Sequence, residues 1–501
     1  MDKKIIAVDL GASGGKLFVG TFHDNGFSFQ EIHRFSHEGV SFFIPEANGT
    51  VSERTYWDDI YIYSNILTGL QTYRREISDR LDSIGIDTWG ADGQFISKNG
   101  DLLGKVYCYR DHRLDSMVDF IKQKVDPELV YRITGIHFQP FNLSNQLSWF
   151  AENRKELFNL ASVYVPVPSL FYYYLGGTTA VDSSWASVTQ LMDARLKKWS
   201  GDILNPLGIS SNVMPEIVKP GTVLGSMHQK TAAMLGLNTA DLTAAASHDT
   251  ASAFAAAPVE NTEECLIISS GTWSLVGKLV PEPVTTDFAF QMNLSNEGGI
   301  GNIRLLRNCM GTWLIQELRK AWSIEDGREP PWNELVALSE KAEPFTAFIN
   351  PDDPSFYNPD DMAEAITAFC RKTGQSVPKD RGTFLRVVYE SLAMKYRAVN
   401  EMICSASGTK TNTVHIVGGG SKNEMLNQFT ADALGMPVIA GPDEATAAGN
   451  LMVQALGQGI IPSLSASLPL IKDAFSINTF MPREQKLWDR KYADFKRVGI
   501  D

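Results

Sequence analysis

One short stretch near the start does most to restrict what this chain can fold into. Ile5, Ile6, Ala7 and Val8 form an apolar run that ends at Asp9 and runs into the turn Gly11-Ala12-Ser13-Gly14-Gly15. Beyond it, Leu17, Val19 and Thr21 alternate with Phe18, Gly20 and Phe22, a period of two, and Asp24-Asn25-Gly26 is a hairpin signal before Phe27, Phe29 and Ile32. A strand therefore follows the glycines. The G-x-S-x-G match at Gly11 to Gly15 is thereby excluded as a hydrolase nucleophile elbow, and the turn as a Rossmann fingerprint, because both need a helix there. A Walker A loop fails because Lys16 stands where its second glycine should be.

The same pattern returns about half a chain later. Glu264 to Ser270 reads as a strand, Gly271-Thr272 as its turn, and Trp273 to Leu279 as the next strand. Two similar halves would put a cleft between them. Ile84-Gly85-Ile86 is a further strand ending at Asp87, and residues 115 to 200 are mostly helical in pattern. Val414 to Val417 is a strand running through Gly418-Gly419-Gly420 into a helix from Asn423 to Leu434. Pro206 to Thr243, rich in Pro, Gly, Ser and Asn, reads as a boundary region. The fold class is α/β, with domains expected at 1–246 and 247–501.

Composition narrows the class. With 44% apolar and 21% charged residues the chain can bury large cores, and its net charge of −13 argues against nucleic acid as a partner. The most apolar run, Val163 to Leu175, is interrupted by Pro166 and Pro168 and is too short to span a bilayer. Only four apolar residues separate the charged start from Asp9, so a cytoplasmic location is expected. Five scattered cysteines, none in CxxC spacing, indicate neither a disulfide framework nor a thiolate zinc site.

Several residues admit both a structural and a chemical reading. Asp9 at the mouth of the glycine turn either ends an ordinary hairpin or holds a Mg²⁺ ion beside phosphates cradled by the turn's amides. Asp249, before the small-residue segment Ala251 to Ala257, is either a helix cap or a base facing a hydroxyl. Ser247-His248-Asp249 cannot be a catalytic triad, since sequence neighbours do not stack as nucleophile, base and orienter. Gly418 to Gly420 make either a close-packed strand-to-helix turn or a floor for an adenine or ribose. Phe138, Phe141, Trp149 and Phe150 read as core or as a sugar platform. Tyr109 to Arg113 reads as a solvated surface or as a polar network offered to a polyol.

Taken together, Ala7 to Ser13, Glu31 to Phe35, Gly85 to Gly90, Tyr109 to Asp111, Gly135-Ile136 and Pro140 to Asn142 resemble sugar kinases of the FGGY family, within the actin, hexokinase and heat-shock-70 ATPase superfamily. So do Ser247 to Ala251, Ser269 to Ser274, Asn296 to Gly299, Asn308, Met310-Gly311, Trp313, Gln316, Ile416 to Gly420 and Ala440 to Pro442. The resemblance runs in order from residue 7 to about 450. It implies two ribonuclease-H-like domains of the actin-like ATPase kind flanking a cleft for nucleotide and sugar. It assigns Ala12, Ser13, Gly14, Gly15, Lys16 and Thr272 to the phosphates of ATP, Asp9 to Mg²⁺, and Gln316 with Gly419, flanked by Gly418 and Gly420, to the nucleotide. Gly90, His248, Asp249, Thr250 and Asn308 go to the sugar, with Asp249 as proton acceptor. Asp87 is added as a carboxylate at a strand end near Gly90.

The implied reaction is transfer of the γ-phosphate of ATP to the C1 hydroxyl of L-rhamnulose; another ketose, L-fuculose or xylulose, and an actin-like ATPase without kinase activity are the alternatives. The expected partners are a small-molecule ketose and ATP, with no nucleic acid and no membrane, and the oligomeric state is left open. Three departures from the family pattern stand out. Ala91-Asp92-Gly93 replaces Val-Asp-Phe after Gly90, Lys16 replaces an arginine and so loses a bidentate fork, and Ser169 replaces a Pro-Asp pair after Pro168. The first bears on which sugar is bound.

Overall fold

The computed structural model describes residues 2–24, 26–46 and 49–498. Asn25, at the centre of the hairpin signal, lies outside them. The chain forms two compact units. One comprises residues 1–256, 280–305 and 445–474, the other 257–279, 306–444 and 475–501.

The first unit is built on a six-stranded sheet. Lys3–Gly11 (β1) pairs antiparallel with Gly14–His23 (β2), and β2 with Gly26–Ser36 (β3), the meander expected from the period of two. On its other side β1 runs parallel to Ser83–Thr88, followed by Asp241–Thr243 and Val223–Ser226. Ile5 to Val8 are all buried, as a strand covered on both faces must be. Helix Asp59–Glu76 lays Ile62, Ile66, Leu70 and Tyr73 against this sheet, and Gly69 lets it approach so closely that an added Cβ would lie 2.4 Å from Leu17 Cδ2. A second core gathers Leu147, Trp149, Phe150 and Trp185. Trp149 and Phe150 are therefore core, with Phe138 only partly buried beside them.

Helix Ala445–Gly457 returns to this unit and packs on the short helix Asp249–Ala255. A Cβ on Gly449 would stand 1.8 Å from the carbonyl oxygen of Ser252, so the two backbones touch.

Pro206 to Thr243, expected as a boundary region, lies inside the first unit. It supplies two of that unit's sheet strands, Val223–Ser226 and Asp241–Thr243. Its prolines and glycines separate short elements within one unit. Residues 115 to 200 contain the expected helices, but the apolar run from Val163 crosses from strand Ala161–Pro166 into helix Val167–Gly176.

The second unit repeats the opening motif. Cys265–Ser270 and Trp273–Val280 pair antiparallel around Gly271-Thr272, and Cys265–Ser270 runs parallel to Thr413–Val417, as β1 does to Ser83–Thr88. The order continues through Val438–Ala440 to Asn478–Phe480, with Ile303–Met310 beyond Trp273–Val280. Thr413–Val417 leads through the glycines to helix Glu424–Leu434, as the sequence predicts. Among the described residues, no helix is long and apolar enough to cross a membrane.

Candidate functional site

At the end of the first unit's sheet the charges of Asp9 and Asp249 both act on Asp87. Asp9 and Asp87 are partners across the parallel ladder, and burial together with the charges of Asp9 and Asp249 pushes the Asp87 carboxyl well above the usual carboxylate range. Asp87 is fully buried. Its Oδ2 accepts from Asn450 Nδ2 at 2.6 Å, and its Oδ1 makes no hydrogen bond. The expectation that Asp87 reaches the sugar thus meets a side chain enclosed by protein beside Asp9.

The same strand end is tied to the segment before Asp249. Thr88 N–H donates to the Ser247 carbonyl at 2.8 Å, and a Cβ on Gly90 would lie 2.5 Å from His248 Nε2, so only glycine leaves room for the imidazole. His248 Nδ1 accepts the Thr250 N–H at 3.1 Å. That contact fixes the ring as the Nε2–H tautomer, and burial with the nearby charge of Arg304 pushes its pKa well below the ordinary histidine value. The 3.3 Å approach of His248 Nδ1 to Asp249 Oδ1 is therefore not an ion pair. Asp249 Oδ1 accepts from Thr250 N at 2.6 Å and Thr250 Oγ1 at 3.1 Å, and the side chain keeps 32% of its exposure. Its pKa is raised to about 6, because burial outweighs those hydrogen bonds and the attraction of Arg304. An ordinary carboxylate value does not describe it.

Arg304 and Glu297 form a buried ion pair in the same unit, Nη2 to Oε2 3.0 Å, and the Arg304 guanidinium lies 5.6 Å from the ring of Phe254. Its charge acts on Asp249 and His248. The sequence shows Glu297 only within the Asn296 to Gly299 motif and gives no sign of Arg304's place.

At the first glycine turn the physical reason for the glycines differs from the expected one. None of Gly11 to Gly15 has a positive φ, so the turn is not a nest of alternating hand. Gly14 and Gly15 are glycines because a Cβ would meet the Phe35 carbonyl oxygen at 2.7 Å and the Phe35 ring at 2.4 Å. Ala12 and Ser13 form the tip of the turn, and His37 N–H supports it by donating to the Ser13 carbonyl. Lys16 stands opposite Asp9 in the β1–β2 ladder.

The polar segment Tyr109 to Arg113 divides, with Arg110 and His112 exposed and the alternate residues turned inward. Asp111 and Arg113 are buried, and Asp111 Oδ2 accepts from Thr55 N at 2.6 Å. Asp92, also buried, accepts from Trp57 Nε1 and Trp89 Nε1. Gly93 faces strand Ala161–Pro166, where a Cβ would lie 2.6 Å from the Tyr164 hydroxyl. The Val165 carbonyl oxygen, 2.4 Å from that position, and the tyrosine together leave no room for a larger residue at 93. Ser169 Oγ donates to the Ala180 carbonyl inside the same unit.

The second unit gathers the remaining candidates. Thr312 N–H donates to the Gly271 carbonyl, and Thr272 Oγ1 and Gln316 Oε1 are 3.5 Å apart. Asn308 lies on Ile303–Met310 with a buried Oδ1 that has no hydrogen-bond partner. The glycine triplet divides into three cases. Gly418 has φ +81°, Gly420 leaves room for Ser270, whose Oγ would be 2.0 Å from an added Cβ, and Gly419 has open space at the Cβ position. Two are demanded by the turn, and one is free to lie under a ring.

Family models for the N-terminal and C-terminal domains of the FGGY family of carbohydrate kinases match residues 49–255 and 266–457. The chain belongs to this family. It is 36% identical to the rhamnulokinase of Bacteroides thetaiotaomicron over 497 residues, covering 99% of each chain, and 37% identical to that of Enterococcus faecalis over 503 residues, covering 99% of this chain and 98% of the other. The solved structure of xylulose kinase from Rhodospirillum rubrum has the same fold, with a TM-score of 0.79 at 17% identity over 99% of this chain and 98% of that one. Plasmodium falciparum glycerol kinase with ADP gives 0.77 at 16% identity over 100% and 99%. The fold is the two-domain α/β architecture of the actin-like ATPases.

Proposed function

We propose that this kinase transfers the γ-phosphate of ATP to the C1 hydroxyl of L-rhamnulose, giving L-rhamnulose 1-phosphate and ADP, in the cytoplasm where ATP is at hand. The observation that carries the chemistry is the Asp249 carboxylate, raised to about 6, partly open to solvent and flanked by a neutral His248. The likeness to the two rhamnulokinases supports the choice of sugar.

In this reading the first unit takes the sugar and the phosphates. Asp249 orients the attacking hydroxyl and accepts its proton, and a pKa near 6 makes it a stronger base than a free aspartate while leaving it ionised at neutral pH. His248 offers Nε2–H to a sugar oxygen, and Gly90 leaves the space for that ring. Ala12 to Lys16 face the phosphates, with Lys16 a point charge rather than a fork. Asn308, Thr272, Gln316 and Gly418 to Gly420, which the resemblance assigns to sugar, phosphates and nucleotide, all belong to the second unit.

Mg²⁺ fits the residues present. Asp9 supplies a hard oxygen donor, and the buried Asp87 beside it keeps an unbonded Oδ1 next to Asp9's charge. Mg²⁺ usually keeps several waters and is held by one or two carboxylates plus substrate phosphates. Asp9 would hold it, and when bound the ion neutralises charge on the transferring phosphoryl group.

Gly93 is held to glycine by the Val165 carbonyl and the Tyr164 ring of the neighbouring strand, so the departure at this position is accounted for by packing. The test is a coupled ADP assay with Mg-ATP over L-rhamnulose, L-fuculose, xylulose and glycerol. L-Rhamnulose should give the largest kcat/KM; a larger value for any of the others overturns the substrate, and no sugar-dependent ADP release from any of them overturns the reaction.

A further inference from the structure

The buried end of the first unit's sheet is wired to helix Ala445–Gly457 by a chain of hydrogen bonds whose direction the chemistry fixes. Gln454 Nε2 lies 3.0 Å from the Ile6 carbonyl, which can only accept, so this end of the amide donates. Its Oε1 is then an acceptor and takes the Ser83 hydroxyl proton at 2.8 Å. Ser83 has one proton to give, so at its 2.8 Å contact with Thr243 the threonine hydroxyl is the donor. Thr243 in turn receives Gln458 Nε2 at 3.1 Å. In the other direction Gln454 Nε2 also donates to Asn450 Oδ1 at 2.6 Å, which turns Asn450 Nδ2 toward Asp87 Oδ2 at 2.6 Å.

Every donor from Gln458 onward thus points the same way, and the chain ends on one oxygen of a carboxylate. Ser83, Asp87, Thr243, Asn450 and Gln454 are all wholly buried. Room for the two amides exists because residue 85 is glycine: a Cβ there would lie 2.4 Å from Gln454 Nε2 and 2.6 Å from Asn450 Oδ1. Five buried polar groups cost free energy that an apolar packing would not. They leave only one requirement unmet, the second oxygen of Asp87, beside Asp9.

We infer that Asn450 is a positioning residue of the kinase reaction: by holding Asp87 Oδ2 it fixes which way that carboxyl presents Oδ1 to Asp9, and so sets how tightly Asp9 holds the divalent cation that accompanies the nucleotide. The inference rests on the assignment of Asp9 above. Asn450 touches neither substrate nor ion and acts through the Asp87 carboxyl. Loss of such an outer partner typically weakens metal binding by about 10- to 100-fold.

The test uses Mn²⁺ as probe, titrated by electron paramagnetic resonance into the full-length enzyme with ADP, with kcat and the sugar KM measured alongside. Asn450→Leu keeps the volume and removes the donor, and should weaken Mn²⁺ by about tenfold and lower kcat by a similar factor while the sugar KM stays within about twofold. Asn450→Ser, which shortens the side chain without adding apolar bulk, gives the same reading if the leucine variant does not fold. Val453→Ala, on the same helix and buried, should lower the melting temperature without moving Mn²⁺ affinity. A folded Asn450 variant that binds Mn²⁺ within twofold of wild type overturns the inference, as does equal weakening by Val453→Ala. Failure of the substrate reading shows separately, as wild-type enzyme that binds Mn²⁺ with ADP yet leaves L-rhamnulose unphosphorylated.

Discussion

His248 caps the helix that Thr250 enters: its Nδ1 receives the Thr250 N–H, and Asp249 between them is the first residue of the helix. The Thr250 N–H is shared with Asp249 Oδ1 at 2.6 Å, so the capping that the sequence alone offers to Asp249 does not depend on that residue alone.

Asp249→Asn should therefore leave the helix start intact. With the cap on His248, the melting temperature should stay within a few degrees of wild type while kcat falls by about 10² to 10⁴ and the sugar KM moves much less, the pattern of an interaction made in the transition state. A folded variant within about threefold of wild-type kcat removes Asp249 as the base.

The pH dependence follows from the same group. A base with a pKa of about 6 is protonated below that value and cannot accept a proton, so kcat should show an acid limb with its midpoint near pH 6. The charged groups acting on it are Arg304 and Glu297, with the Asp87 carboxyl in electrostatic reach and a neutral His248 alongside. Arg304 is the attraction that favours the ionised form. Arg304→Gln should accordingly move the limb to higher pH; a limb that stays in place, or moves down, contradicts the electrostatics.

Asp9→Asn tests the metal. The variant keeps size and hydrogen bonding but not the anionic oxygen, and loss of several kcal/mol of charge stabilisation corresponds to a fall in kcat of about 10³ or more. Circular dichroism should be unchanged. Activity near wild type in the folded variant would exclude Asp9 as the holder of the ion.

The glycine triplet separates packing from ligand contact. Gly420→Ala forces a Cβ onto Ser270 and should cost about 1 to 3 kcal/mol of stability. Gly419→Ala meets no protein atom and should leave the melting temperature unchanged while raising the KM for ATP. If both variants lose stability and neither changes the KM, position 419 is part of the turn alone.

What the sequence makes legible is local. A period of two after Gly15 fixes the first hairpin, because alternation reports a strand directly, and the echo of that motif around Gly271-Thr272 finds the second. The glycines themselves mislead: Gly14 and Gly15 yield to the Phe35 of a neighbouring strand, a contact with no signature in their own segment. The pKa of Asp249 is illegible for a related reason, since it is set by enclosure and by Arg304, 55 positions away in sequence. Asn450 and Gln454 left a faint trace, two amides one turn apart in the otherwise apolar stretch from Ala445 to Gly457. Reading them required knowing that Gly85 lay opposite.

Asp87 and Asn450 are separated by 363 positions. A ribosome delivers the Asp87 carboxyl early and the amide that bonds it almost last, so for most of synthesis Asp87 lacks the Asn450 hydrogen bond. Vectorial assembly of this unit is then complete only when residues 445–474 emerge and dock, and contacts of such long range are slow to form. A nascent chain stalled before that point would carry every residue proposed to meet the sugar and the ion, and would still lack the geometry to use them.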